Sequence, residues 1–244
     1  MPGMIRAVRS GVNARRRGGA VAATLMSGRD DRVRCAHRLR PALVRLRPAL
    51  VRAIDPHLGG LYARPVSSDP QILRAGDVAR AIRVARLVAV LRRIEPRDRL
   101  LALVAELIDD GISIFEITFD AADAAADVAA VRERFGPDAT VGAGTVRTHE
   151  QLRAAIDAGA AFGVSPVLDP AILRAALEAG LPFVPGAYTP SEVDLAWRAG
   201  ATFVKLFPGS SLGPEHVREL RGPMPEVETI VTGGIDGTNA VRFI

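Results

Sequence analysis

The sequence predicts an α/β protein: a (β/α)8 TIM barrel over residues 86 to 244, truncated after its seventh strand and preceded by an Arg-rich, poorly ordered extension over residues 1 to 85. Three observations predict it. Short apolar runs alternate with Ala/Leu/Arg/Glu-rich helical segments at intervals of roughly 20 to 26 residues, the mark of βα units on a parallel sheet. Three of those helices end alike, since "DAGAAF", "EAGLPF" and "RAGATF" each place a Gly just before an aromatic-led strand. Gly and polar residues then gather after the later strands ("GAGT", "SP", "PG", "FPG", "TGG"), where a barrel builds its functional face. An open doubly wound sheet would instead carry a Gly-rich loop after its first strand, and "LVAVLRRIEP" has none.

The extension comes first in the chain. It holds 17 Arg against 5 Asp, a net +12, with the cluster "NARRRGG", the small duplication "RPALVRLRPALVRAI" and several Pro and Gly breaks. A basic arm for nucleic acid is one reading, although interleaved aromatics and a recognisable nucleic-acid module are missing, so nucleic acid is not the favoured partner. A targeting peptide is another, with "AVAATLM" after an Arg cluster, but that stretch is too short and broken for an apolar h-region. The third is an extension translated from upstream of the domain's natural start, whose composition buries too little apolar surface to offset the entropy of ordering. The third is preferred.

From Arg86 the texture changes. Strands are expected at 87–91, 113–118, 139–144, 161–165, 182–186, 202–207 and 228–234, with helices such as "RDRLLALVAELIDD" and "EQLRAAIDA" between them. The chain stops at "NAVRFI", inside the seventh helix of this pattern, so two open strand edges are expected where an eighth strand would pair. A 48% hydrophobic and 24% charged composition suits a soluble globular protein with a sizeable core. No apolar run approaches the roughly 20 residues that span a bilayer. A single cysteine, Cys35, excludes an internal disulfide and suits a reducing cytoplasm. The four histidines are scattered without ligand spacing, so no metal site is expected.

Within "TFVKLF" lies Lys205, the only lysine among 32 basic residues. Strand alternation puts it on one face with Phe203 and Phe207. Inside a barrel an ammonium is desolvated, which moves lysine toward the neutral amine that attacks carbonyls and forms Schiff bases. Arginine stays protonated and cannot do this, which explains why a chain that otherwise writes only Arg keeps one Lys here. In "SIFEIT", Glu116 shares a face with Ile114 and Thr118. As a residue of the second strand it can enter the same interior layer as Lys205 on the sixth, and shuttle protons there. After the seventh strand, Gly233 and Gly234 precede a helix, the position where barrels commonly bind phosphate.

At this point "FEIT", "VGAGT", "SP", "PG", "FVKLFP" and "TGG", in this order and spacing, resemble the 2-keto-3-deoxy-6-phosphogluconate (KDPG) / 4-hydroxy-2-oxoglutarate aldolases. The resemblance covers about residues 86 to 244. It implies a class I, Schiff-base, pyruvate-forming lyase without metal or other cofactor, usually homotrimeric, acting in carbohydrate metabolism on a small 2-keto acid. It implies Lys205 as the Schiff-base lysine and Glu116 as the general acid/base. Thr145 would contact the pyruvyl carboxylate, Pro166 and Phe207 would shape the pocket, and Thr232, Gly233 and Gly234 would form the phosphate end. Arg92 matches an arginine that binds an anionic group. Two departures stand out. The carboxylate-gripping arginine of patterns like "EVTLR" is replaced by Asp120 in "EITFD", leaving that contact missing or supplied by Arg92. The eighth strand, which would complete the phosphate site, lies past the last residue. The galactonate epimer is an alternative substrate, and an inactive truncated barrel with a basic arm for nucleic acid or acidic partners is the alternative of another class.

Overall fold

In a computed structural model, residues 20–26, 75–236 and 239–243 are described. The "NARRRGG" cluster, the internal duplication and Cys35 lie outside them. In chain order the elements are β1 (Ala20–Met26), α1 (Ala75–Ala85), β2 (Leu87–Arg92), α2 (Arg97–Asp109), β3 (Ile114–Thr118) and α3 (Ala124–Phe135). They continue with β4 (Thr140–Gly144), α4 (His149–Asp157), β5 (Gly163–Val164), α5 (Pro170–Glu178), β6 (Phe183–Val184), β7 (Gly186–Ala187) and α6 (Pro190–Arg198). The last are β8 (Val204–Leu206), α7 (Gly209–Arg221), β9 (Thr229–Val231) and a short 3-10 turn at Ala240–Phe243.

From β2 to β9 the strands pair in parallel, and each expected strand position is found within a few residues. The sheet runs β6-β5-β4-β3-β2-β1-β9-β8-β7. Its two ends, β6 and β7, are halves of one chain segment separated only by Pro185, so the sheet closes on itself. The Gly ends of three helices behave as their sequence requires. Gly159, Gly180 and Gly200 have φ of 75°, 72° and 93°, a left-handed conformation that L side chains resist. The following amides of Ala160, Leu181 and Ala201 each reach back to a helix carbonyl, at 2.9, 2.9 and 3.1 Å. Helix starts are equally local: Thr148 and Asp169 cap α4 and α5, and Thr189 with Glu192 forms a capping box on α6.

Alternation along the strands sorts side chains into two layers. Phe115, Ile117, Val141, Ala143, Val204, Leu206 and Val231 face outward under the helices. Val88, Ile114, Phe162, Val164, Val184, Phe203 and Ile230 face the interior. Burial on both faces is why the strands read as nearly continuous apolar runs.

Two expectations about the ends of the barrel need correction. The domain was expected to begin at residue 86, but α1 belongs to the packed body. Val78, Ala79 and Ile82 are buried in the interior cluster against the N-terminal ends of the strands, and Arg83 ion-pairs with Glu228 at 2.6 Å. The high arginine content of the segment masks this helix in the sequence, because its apolar residues at i, i+1 and i+4 lie among exposed arginines. The second correction concerns the edges. β2 and β9 are not open: β1 lies antiparallel between them, from Ala20↔Arg92 to Leu25↔Leu87 on one side and at Leu25↔Val231 and Met26↔Ile230 on the other. The segment "AVAATLM", too short and broken for the h-region of a targeting peptide, pairs with backbone groups far along the chain. No helix among the described residues is long and apolar enough to cross a membrane.

Ile82 is 1% exposed and Val84, two residues on, is 49% exposed. Ile82→Ala should cost about 2–5 kcal/mol of stability and Val84→Ala under about 0.5 kcal/mol. Denaturant melts of the two variants check this, and equal midpoints would mean that α1 does not seal the barrel.

Candidate active site

Lys205 stands on β8 and Glu116 on β3, both pointing into the interior layer. They are 6% and 1% exposed, and Nζ lies 3.9 Å from Oε1. That distance is an ion pair without a direct hydrogen bond, and Glu116 Oε1 has no hydrogen-bond partner among the described residues. The pair lines a narrow cavity whose other walls, Ile82, Val88, Phe162, Val164, Val184 and Ile230, are apolar. Burial pushes the Lys205 amine well below the ordinary lysine range. The Glu116 carboxylate pulls the other way, and the nearby Arg92 guanidinium adds to the lowering.

Glu116 has its room because of a glycine on the neighbouring strand. Gly144 lies two residues beyond Gly142, the ladder partner of Glu116, and a Cβ built there would come within 2.0 Å of Oε1. The glycine of "VGAGT" is therefore required by a close approach, a reason that only the structure supplies. Immediately after it, Thr145 has φ of 59°. For a β-branched residue this is a strained conformation, costing about 1–3 kcal/mol. Its hydroxyl accepts from Arg92 Nη2 at 3.2 Å, and Arg92 Nη1 donates to Asp120 Oδ2 at 2.5 Å.

The remaining expected site residues fall into two places. Phe207 places its ring centroid 5.4 Å from Lys205 Nζ, a cation–π separation. Gly233 backs onto that ring, and the amides of Gly209 and Ser210 donate to the carbonyls of Thr232 and Gly233 at 2.6 and 2.9 Å. Phe207, Thr232, Gly233 and Gly234 are thus one constellation, joined to the start of α7. Pro166 is in the second place, its backbone packed against Gly186 on β7, the ladder partner of Lys205. Sequence reasoning missed Arg93, which ion-pairs with Asp120 at 3.2 Å and has φ of 51°, and Ser210, which lies against Gly234. The doubled arginine in "VLRR" was the available signal for the first; the second had none.

Such an arrangement can hold a neutral amine beside a carboxylate among apolar walls, with cations and a hydroxyl nearby. The chain has known counterparts. A family model described as "Aldolase: KDPG and KHG aldolase" matches residues 78–244. The 2-dehydro-3-deoxy-6-phosphogalactonate aldolase of Escherichia coli is 33% identical over 159 residues, covering 65% of this chain and 77% of that one. A 2-dehydro-3-deoxy-phosphogluconate aldolase of Haemophilus influenzae is 34% identical over 167 residues, covering 68% and 77%. Among solved structures, one titled "Native KDPGal structure" matches with a TM-score of 0.60 at 30% identity, covering 64% of this chain and 76% of that one. A KDPG aldolase from Legionella pneumophila, described with pyruvate captured as a covalent carbinolamine intermediate, matches at 0.56 and 29%, covering 64% and 74%.

The titration of Lys205 is directly testable because the chain has no other lysine. Reductive methylation, mapped by peptide mass, should reach its plateau rate at a pH below the ordinary lysine value. Arg92→Gln removes a positive charge that disfavours the ammonium, so the plateau should move to higher pH. Glu116→Gln removes the charge that favours the ammonium, so it should move lower. A plateau at the ordinary value in the unmodified protein would show that the amine is not desolvated.

Proposed function

The chain belongs to the KDPG and KHG aldolase family and is a class I aldolase, a carbon–carbon lyase, and on that premise we propose that Lys205 is its Schiff-base residue and that 2-keto-3-deoxy-6-phosphogluconate is its substrate. One observation carries the reading: the only lysine is buried in the barrel interior, 3.9 Å from a buried glutamate. The neutral amine adds to the C2 carbonyl, and the carbinolamine loses water to give an iminium. A base takes the C4 hydroxyl proton, the C3–C4 bond breaks, its electron pair runs into the iminium, and glyceraldehyde 3-phosphate departs. The enamine is then protonated at C3, and water releases pyruvate and the free amine.

Glu116 supports these steps as the group that moves protons, since its Oε1 has no hydrogen-bond partner among the described residues and lies 3.9 Å from Nζ. Thr145 and Arg92 take the carboxylate end. Phe207 and Pro166 shape the walls, and Thr232, Gly233 and Gly234, beside the start of α7, take the phosphate. This assignment places the enzyme in the Entner–Doudoroff route, in the cytoplasm, where phosphorylated sugar acids are retained. The homotrimeric state rests on the family and on exposed apolar side chains at Val167, Tyr188 and Leu195. The galactonate epimer is the second reading, favoured by the similarity to the Escherichia coli enzyme named for it. Cleavage of 4-hydroxy-2-oxoglutarate to pyruvate and glyoxylate uses the same residues and is a further activity to assay.

Incubation with pyruvate and borohydride should leave a stable pyruvyl-derived mass on the Lys205 peptide, and Lys205→Arg should abolish it. A folded, unlabelled protein would sink the Schiff-base role. Glu116→Gln should still be labelled yet turn over about 10²-fold or more slowly; a near-normal kcat would make Glu116 a structural partner only.

A further inference from the structure

We infer that Asp120 is a positioning residue, clamping Arg92 so that Arg92 and Thr145 together present a donor pair to the carboxylate of the 2-keto acid; this rests on the Lys205 reading above. Asp120 stands just past β3, at the position where the resemblance leads one to expect a positive charge. Its carboxylate is shared by two guanidiniums, Arg92 Nη1 at 2.5 Å and Arg93 Nε at 3.2 Å. Burial works to raise its pKa, but the neighbouring Thr118 hydroxyl and the charges of Arg92 and Arg93 outweigh that and hold it below the ordinary aspartate value.

The direction of one hydrogen bond decides what Thr145 can offer a ligand. Arg92 Nη2 donates to Thr145 Oγ1 at 3.2 Å, so the threonine oxygen is an acceptor in that contact and its own proton is left to donate elsewhere. Arg92 has spent one N–H on Asp120 and one on Thr145, and its side chain remains 42% exposed, so among the described residues three N–H groups of the guanidinium have no partner. An arginine N–H and a threonine O–H therefore sit side by side, a fit for the two oxygens of a carboxylate. They lie close enough to Lys205 for the guanidinium charge to act on the amine. Without Asp120, a long side chain with many rotamers would have to find this position against the repulsion of Arg93. The aspartate thus supplies by anchoring what a second arginine would supply by direct contact.

The test uses the whole chain and two ketone probes trapped on Lys205 with borohydride: pyruvate, which has the carboxylate, and acetone, which lacks it. Asp120→Ala should raise the pyruvate concentration for half-maximal trapping by about tenfold while leaving the saturating rate within about twofold, and acetone trapping should not change. Asp120→Glu should recover part of the loss. The double variant Arg92→Ala/Asp120→Ala should be no worse than Arg92→Ala alone, because a residue that acts only through another has nothing left to lose. Three results would overturn the inference: unchanged pyruvate dependence in Asp120→Ala, an equal loss on acetone, or losses that multiply in the double variant. If the unmodified protein is labelled by neither ketone, the Schiff-base reading itself fails and this inference falls with it; labelling that Asp120→Ala leaves unaltered rejects the inference alone.

Discussion

A single cationic side chain inside a closed sheet sets the terms for the rest of this structure. Lys205 is buried with an acid 3.9 Å away, and a charge in that setting is tolerated only if it is partnered or gives up its proton. Both outcomes require that the surroundings stay dry and in register. The floor of α1 side chains closes the barrel beneath the pair, and Gly144 clears the space that the Glu116 carboxylate occupies. Register matters most: a slip of one residue in β3 or β8 would turn Glu116 or Lys205 outward into the helix layer and bring Phe115 or Val204 into the interior.

Closure is the second constraint, because the interior stays dry only if the ring of strands has no gap. Seven of its positions are filled by parallel strands, with β6 and β7 sharing one, and the last by β1, running antiparallel. Its two seams differ. Six residue pairs join β1 to β2, whereas two join it to β9. The weaker of these two seams lies beside the strand that leads into Thr232, Gly233 and Gly234, so the proposed phosphate end stands next to the less paired side of β1.

The mouth of the site is organised by charge rather than by packing. Arg92, Arg93 and Asp120 carry a net positive charge there, and Arg92 also disfavours the ammonium form of Lys205. In the proposed reading, anion binding and amine activation are coupled through one guanidinium, since a carboxylate that neutralises Arg92 also removes part of what keeps the amine neutral. Thr145 holds a left-handed backbone at this point, and strain in a β-branched residue survives only where its surroundings enforce it. Its hydrogen bond to Arg92 is one of the contacts that do so.

Much of this was legible without coordinates. Alternation in "SIFEIT" and "TFVKLF" put Glu116 and Lys205 on inward faces because a strand has a period of two, whatever it packs against. The Gly ends of three helices and the caps at Thr148, Asp169 and Thr189 are local too, decided within a few residues of themselves. The single lysine could be singled out because charge chemistry belongs to the side chain. What the tertiary structure alone decided is everything that joins distant segments. The place of α1 in the floor, the pairing of β1 with β2 and β9, the Asp120 clamp on Arg92 and the need for glycine at 144 all depend on which surfaces meet. Periodicity reports the face a residue presents, but not the neighbour it will find there.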